Sequence, residues 1–580
     1  MSVRLGSSQR RLRIGFLFIA FVVSVFGGRL LQLQGVEASS YATQAMKARL
    51  DTVTLHAERG DITDSNGVSL ASTVDTVAVS ADPKLTRADA PRIANLLAPL
   101  LDVSVLELEK NLQQPDTRFV YLARHVQPNI WSKAERRLEK AGFSGVWADP
   151  DPLRNYPTGG VASNVLGFVG SEGEGLAGLE YSLDDSLGGK DGWARYERAA
   201  GRQIPLGKSL GEDPVPGTSY QLTIDRDVQW AAQQAIADQV KATDAESGSV
   251  VVLDSKTGEL RALATAPGFD PEKITKAPPE DRGNRPLDQA YEPGSVAKLI
   301  TAGALLDGGY VTPGTKITVP GALNRNGKEI GDWWTHGTIR LTFAGAIAKS
   351  SNIGTVLAAE KMPKDEHAEY LRKFGLGEPT GIGFPGETEG IVPDAGADGS
   401  GWADLQRATI SFGQGISVNA VQMASVLGTV ANDGKRVEPQ LVAGSIQDGE
   451  LDPADPPKSE RVISPKSAEQ VTAMMEAVTG PDGVAQKATI EGYRVAGKTG
   501  TAQRVDPECG CYRGYSSSFG GFAPADDGRY VVYVVVHDPQ GSNSGSEVAA
   551  PVFHDVMSFV LQKYGIPPTG ESSPDLRLEW

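Results

Sequence analysis

The strand-forming residues in the second half of this chain fall into two groups, separated by the long helix-rich stretch between Ala266 and Tyr493. The first group follows a helix predicted from Arg226 to about Val240, with Asp225 as its cap. Gly248 to Asp254 is an apolar run, Lys256-Thr257-Gly258 reads as a turn, and Glu259 to Ala266 as a second strand. The second group comprises 493–504, 517–524 and 529–537, and a terminal helix follows from Pro551 to Tyr564. Strands split by a helical insertion predict one sheet assembled from both ends of a domain, an α+β fold.

The first half reads differently. Arg59-Gly60-Asp61-Ile62 leads into Asn66-Gly67, a hairpin signal, with Thr76 to Ser80 as a later strand. Ala38 to Leu55 reads as a polar helix followed by a strand, and 86–142 as mostly helical from its leucine and isoleucine spacing. Residues 143–215 are rich in Gly and Pro. This half is expected to be an elongated mixed α/β module without chemistry of its own.

At the N-terminus, Arg4, Arg10, Arg11 and Arg13 precede the uncharged run Ile14 to Gly28. That run alone makes about 22 Å of helix; with Arg29 to Leu33 it reaches roughly 30 Å, a bilayer core. Arg29 would lie near the outer end and could snorkel to the interface. Arginines ahead of the run orient the N-terminus to the cytoplasm and the remainder outside. The competing reading is a cleaved signal peptide ending near Val36-Glu37-Ala38, which exports the same residues. The expected division is 1–13 cytoplasmic, 14–34 transmembrane anchor, 35–215 noncatalytic module, 216–566 catalytic domain and 567–580 flexible tail.

A formal charge of −16 argues against a nucleic-acid partner, which needs basic patches. Six scattered histidines give no metal-ligand spacing, so no metal or cofactor is expected. The two cysteines, Cys509 and Cys511, could form a short-loop disulfide outside the cytoplasm or stay as thiols.

Three short motifs carry chemistry. Ser295 and Lys298 follow Pro293-Gly294 at a helix start, where positions i and i+3 share a face. A serine needs a base to become a nucleophile, and a desolvated lysine can be one. Ser350-Ser351-Asn352 suits a tight loop aiming Ser350 and Asn352 one way. Lys498, Thr499, Gly500 and Thr501 lie in a predicted strand, where a cation and hydroxyls can hold a carboxylate. The glycine there marks close approach to a backbone, such as a ligand pairing by β-augmentation. Each motif alone is commonplace: a helix start, a Ser/Asn turn, a lysine-bearing turn. Their order, Ser-x-x-Lys, Ser-x-Asn, Lys-Thr-Gly, is the signature of penicillin-recognising acyl-serine enzymes.

The sequence thereby resembles the class B penicillin-binding proteins, monofunctional D,D-transpeptidases of the bacterial wall, over nearly its whole length. Arg59 to Ile62, Arg154, Tyr156, Pro157 and Gly175 to Glu180 are similar to that family's pedestal (dimerisation-like) motifs, with Ser65 where arginine is more usual. His336-Gly337, Phe412 to Gly415 and Gln422 resemble positions around its cleft. The Cys509 to Tyr512 loop and the short tail ending in Trp580 are most similar to the actinobacterial septal, cell-division member.

The resemblance implies a serine β-lactamase-like transpeptidase domain on a pedestal. Ser295 would be the nucleophile, Lys298 the base, Ser350 a proton shuttle, Asn352 a substrate-amide contact, and Lys498, Thr499 and Thr501 the carboxylate clamp. The N–H groups of Ser295 and Thr501 would form the oxyanion hole. Implied partners are D-Ala-D-Ala stem peptides, β-lactams, a polytopic glycan polymerase and other divisome membrane proteins. The rivals are an elongation-specific transpeptidase, a D,D-carboxypeptidase or β-lactamase-like hydrolase, and a wall-binding scaffold without activity. No glycosyltransferase domain fits before residue 216 beside the pedestal.

Overall fold

The computed structural model describes residues 8–36, 50–199, 202–203, 210–396, 399–506, 509–570 and 572–580. The polar helix expected from Ala38, the signal-peptide cleavage point and residues 1–7 of the expected cytoplasmic segment lie outside the described residues.

Near the N-terminus a helix spans Ser8–Leu31 and continues as a π turn over Gln32–Val36. Within Ser8–Gly35 an 18-residue stretch has a mean hydropathy of 2.2, and none of that stretch is buried. Phe16, Phe18, Phe21 and Phe26 all face outward. Exposed phenylalanines around every side of a helix are unfavourable in water and favourable in lipid. The helix is long and apolar enough to cross a membrane.

By contacts the chain divides into two units that interleave along the sequence. One holds Met1–Glu58, Val74–Leu153 and Gly189–Pro216; the other holds Arg59–Thr73, Arg154–Gly188 and Gly217–Trp580. The expected organisation had a single crossing point at 215/216. Two stretches with the pedestal-like motifs instead pack with the catalytic residues.

In the first unit, Val77–Ala81 pairs antiparallel with both Val120–Val126 and Val146–Pro150. Helices Ala90–Leu101, Val105–Leu112 and Pro128–Lys140 cover this sheet with Ile93, Leu97, Leu108 and Leu138. The strand at 120–126 interrupts what helical spacing predicted across 86–142. Its alternation buries Val120 and Leu122 and exposes Tyr121, a period of two.

The second unit is built on five antiparallel strands. In chain order these are β1 (Ser247–Asp254), β2 (Leu260–Ala266), β3 (Ala496–Asp506), β4 (Cys511–Phe522) and β5 (Tyr530–His537). Their spatial order is β2-β1-β5-β4-β3, so the sheet is assembled from both ends of the unit as expected. Both faces are covered, which explains the unbroken apolar runs in β1 and β5. Val250, Val252, Val532 and Val534 pack with helices α1 (Arg226–Ala242) and α5 (Ala550–Lys563). Val251, Leu253, Val531 and Tyr533 face the helical insertion, including α2 (Lys298–Asp307), α3 (Asn352–Ala359) and α4 (Ala420–Ala431). Asp225 caps α1, accepting from the N–H groups of Asp227 and Val228.

The pedestal-like motif residues of this unit converge on one carboxylate. Glu180 is fully buried and accepts from Arg59 Nε at 2.7 Å and Arg154 Nε at 2.7 Å. Tyr156 OH reaches it at 3.4 Å, and Arg154 also donates to Gly60 O at 2.8 Å. Burial, with Glu180 beside it, pushes the Tyr156 phenol up, so it stays a donor.

The flexible tail expected from 567 needs correction: its last residues are docked. Leu576 and Leu578 pack on the core, and Leu578 O accepts from Thr342 N at 3.0 Å. The Trp580 ring lies under Lys316 and Arg340. Two leucines and a cation-flanked indole give the end of the chain enough buried apolar surface to be fixed.

Glu180→Ala should be severely destabilising, by about 3–5 kcal/mol, because it leaves the buried Arg154 guanidinium without a carboxylate and Arg59 with Asp184 alone. Chemical denaturation of purified protein reads this out directly; a loss under 1 kcal/mol would mean that water reaches the arginines.

Candidate active site

Ser295 stands on a tight 3₁₀ turn, Gly294–Ala297, that feeds directly into α2. The turn is held by three glycines. Gly294 has φ 55° and donates to Gly413 O at 2.9 Å; a Cβ on Gly294 would fall 2.9 Å from Thr501 O. A Cβ on Gly413 would fall 2.0 Å from Gly294 O. A Cβ on Gly500 would meet Ser518 Oγ at 2.2 Å and Pro293 O at 3.0 Å. The serine turn is therefore wedged between the Phe412-Gly413 loop and β3. Close approach at Gly500 was expected from a ligand; the space belongs to the protein's own Ser518 and Pro293.

Lys298, one turn on from Ser295, is completely buried and points at the Ser350–Asn352 turn. Its Nζ donates to Ser350 O at 2.7 Å and Asn352 Oδ1 at 2.8 Å, and lies 3.4 Å from Ser350 Oγ. Among the described residues no hydrogen bond joins it to Ser295, whose side of the turn is half-buried. Loose nucleophile–base contacts are usual before substrate arrives.

Lys498 reaches the same point from β3. Also fully buried, its Nζ donates to Ser350 Oγ at 2.9 Å and to Thr499 O at 3.1 Å. Ser350 sits between the two lysine nitrogens, at φ 59°, in the turn joining helix Phe343–Ala348 to α3. Ser351 caps α3 by accepting from Gly354 N at 2.9 Å, which fixes the left-handed step before it.

The electrostatics follow from dryness. Burial drives Lys298 well below the usual lysine range, the neighbouring Lys498 charge adds to this, and Asp332 opposes it. Burial brings Lys498 down to about 7. Two amines sharing one hydroxyl in a dry cleft give a base and a cation without requiring both to be charged.

The structure thus brings together Ser295, Lys298, Ser350, Asn352 and Lys498. Asn352 uses its amide at both ends: Oδ1 accepts from Lys298, and Nδ2 donates to Gly331 O at 3.0 Å, leaving one N–H for a ligand. Thr499 is half-buried beside Lys498, and Thr501 is exposed on β3 with its hydroxyl 3.3 Å from Asn543 O. The Ser295 N–H lies in a first helical turn, where such groups lack intrahelical partners. Gln422 stands apart from the cleft. It completes the α4 capping box with Asn419 and donates to Glu378 O and Glu389 O, each at 2.9 Å.

Two neighbours of the site went unread in the sequence. Glu292 accepts from Gly415 N at 2.8 Å and from Tyr512 OH at 3.2 Å, and desolvation raises its carboxyl. Cys509 and Cys511 are joined in a disulfide just before that tyrosine. Asp332, whose side chain is wholly buried, accepts from Ser351 Oγ at 2.7 Å and Ile353 N at 3.0 Å. Neither acid has a periodic or spacing signal; each is set by contacts across the fold.

A helix-borne serine and lysine, a Ser-x-Asn turn and a Lys-Thr-Gly strand on an antiparallel sheet define a penicillin-recognising acyl-serine site. The comparisons agree. The penicillin binding protein transpeptidase domain matches residues 248–558, and the penicillin-binding protein dimerisation domain matches residues 54–222. The chain is 35% identical to penicillin-binding protein PbpB of Mycolicibacterium smegmatis, covering 100% of this chain and 94% of the relative. It is 32% identical to peptidoglycan D,D-transpeptidase FtsI of Escherichia coli K12, over 96% and 92% of the two chains. The crystal structure of penicillin binding protein 3 from Mycobacterium tuberculosis with aztreonam matches at a TM-score of 0.71 and 31% identity, over 91% of this chain and 100% of that one. This chain belongs to the class B penicillin-binding proteins.

Gly500→Ala should slow acylation by about 10²-fold, the cost of a misplacement near 1 Å. Adding Ser518→Gly removes the closest clash and should recover part of the rate. Stopped-flow acylation by a fluorescent penicillin measures both, and no recovery would show that the Pro293 contact dominates.

Proposed function

We propose that the chain is a peptidoglycan D,D-transpeptidase that crosslinks stem peptides through an acyl-serine intermediate on Ser295 and is a target of β-lactams. The observation that carries this is the meeting of Lys298 and Lys498 at Ser350, one turn from Ser295. Full-length similarity to proteins named as transpeptidases supports it.

The chemistry runs in two halves. Ser295 Oγ attacks the carbonyl carbon of the penultimate D-Ala, and neutral Lys298 takes the hydroxyl proton. The N–H groups of Ser295 and Thr501 receive the oxyanion. The C–N bond breaks, and the departing D-Ala amine collects a proton through Ser350, which touches both lysine nitrogens. Lys498, Thr499 and Thr501 hold the terminal carboxylate, and Asn352 uses its remaining N–H on the substrate amide. An amine of a second stem then attacks the ester, returning Ser295 and forming the crosslink. A β-lactam acylates the same oxygen, and its opened ring stays attached, so no leaving group clears the way.

The N-terminal helix would anchor the enzyme with its catalytic unit outside the cytoplasm, as arginines 10, 11 and 13 ahead of the apolar run favour. We assign it to the division septum, beside a polytopic glycan polymerase and other divisome membrane proteins. The resemblance to the actinobacterial septal member and full-length similarity to mycobacterial PbpB support this reading. Depletion should give filamentous or branched cells lacking septa. Cells that round up yet still divide would assign it to elongation.

Ser295→Ala should abolish the covalent penicillin adduct in intact-protein mass spectrometry while leaving the thermal transition unchanged. An adduct on another serine would end the assignment.

The same variant permits a test of Lys498. Burial brings Lys498 down to about 7, and a bound carboxylate would raise it by favouring the charged form. Binding then takes up a proton above pH 7, so affinity for a D-Ala-D-Ala ligand should weaken by up to about tenfold per pH unit as pH rises from 7. Calorimetric titration across pH 6–9 checks this; a flat profile would remove Lys498 from the carboxylate contact.

A further inference from the structure

Asp332 belongs to none of the three motifs, yet it is bonded to the second of them. Its side chain has no exposed surface. Oδ2 accepts from Ser351 Oγ at 2.7 Å and lies 3.0 Å from His336 Nε2; Oδ1 accepts from Ile353 N at 3.0 Å. The carboxylate therefore grips the residues on either side of Asn352. The residue before Asp332, Gly331, accepts from the Asn352 side chain at 3.0 Å. The residue after it, Trp333, donates from its indole to Lys349 O at 3.0 Å, just ahead of Ser350. Three consecutive residues, 331–333, thus bind four of five consecutive residues across the Ser350 turn.

That turn needs an external hold. Ser350 carries a φ of 59°, a region that costs a non-glycine residue of order 1–3 kcal/mol. Its hydroxyl and the Asn352 amide must nonetheless both meet lysine nitrogens within hydrogen-bond distance.

We propose that Asp332 is a positioning residue for acylation: it clamps the Ser350–Asn352 turn against Lys298 and supplies a negative charge that acts on that lysine. His336, its ring 5.0 Å from that of Trp334 and tilted 38° to it, closes the outer side of the carboxylate and keeps it dry. This role rests on the reading of Ser295 and Lys298 as nucleophile and base.

The charge has a readable sign. Lys298 must be neutral to accept the serine proton. Lys498 faces it from β3 and disfavours its charged form, while Asp332 favours it. His336 faces Asp332 on the same loop, and Lys349 is paired outward with Glu579 at 3.1 Å. Removing the Asp332 charge leaves Lys298 neutral to lower pH.

Asp332→Asn keeps the volume and removes the charge. Acylation by a fluorescent penicillin should slow by about 10²-fold at its plateau, as the turn loosens. The acid limb of its pH profile should move to lower pH. Ser351→Ala keeps the carboxylate but cuts one of its bonds; its plateau should fall and its acid limb stay in place. An Asp332→Asn limb at the wild-type pH would overturn the electrostatic role, whatever its plateau. A wild-type plateau in Ser351→Ala would overturn the clamp, and that measurement stands even if Asp332→Asn does not fold. Failure of the Ser295 assignment would instead show as adducts persisting in Ser295→Ala.

Discussion

Two lysine side chains taken wholly out of water are the constraint around which this catalytic unit is arranged. A buried amine without partners is costly, so each nitrogen must be met by oxygens. Ser350 supplies an oxygen to both, Asn352 and Thr499 supply more, and every element bearing one of these residues is thereby fixed relative to the others. The serine turn, the insertion helices and the edge strand β3 are locked together by what the two nitrogens require. The glycines at 294, 413 and 500 are the steric counterpart, allowing three backbones to approach closely enough for those bonds to form.

How much of this could be read in advance varies with range. The sheet was legible because β1 and β5 are buried on both faces and therefore written as unbroken, valine-rich apolar runs. The capped helix at Arg226 was legible because its cap is local. The catalytic set was legible only as three motifs in order, since no periodicity relates Ser295 to Lys498. What escaped depends on contacts distant in sequence: Asp332 on the Ser350 turn, Glu292 under Tyr512. The strand at Val120–Val126 was missed because its flanking helices dominate the leucine spacing. The docked C-terminus was missed because a polar, proline-bearing tail gives few signs of its three apolar anchors.

The Glu180 cluster shows a second use of buried charge. Arg59 and Arg154, far apart in sequence, meet one carboxylate, and removing Glu180 leaves Arg154 without a carboxylate and Arg59 with Asp184 alone. Such pairs contribute little net stability over apolar packing, but they penalise wrong partners heavily. The cluster therefore ties the segment Arg59–Thr73 to the segment Arg154–Gly188, a pairing that local hydrophobic pattern does not make.

That joining has a consequence for how the chain comes into being. Arg59–Thr73 and Arg154–Gly188 belong with residues 217–580, which are synthesised after them. At about 5–20 residues per second, the last of that stretch emerges about 20–70 seconds after Gly217. Throughout that interval both arginines already have Glu180 to pair with, whereas Ile62 and Leu70 lack the later part of their core, such as Leu253 and Leu260. The newborn polypeptide thus passes through a waiting period in which these segments are pinned to one another by charge while part of their apolar surface is still without its native cover.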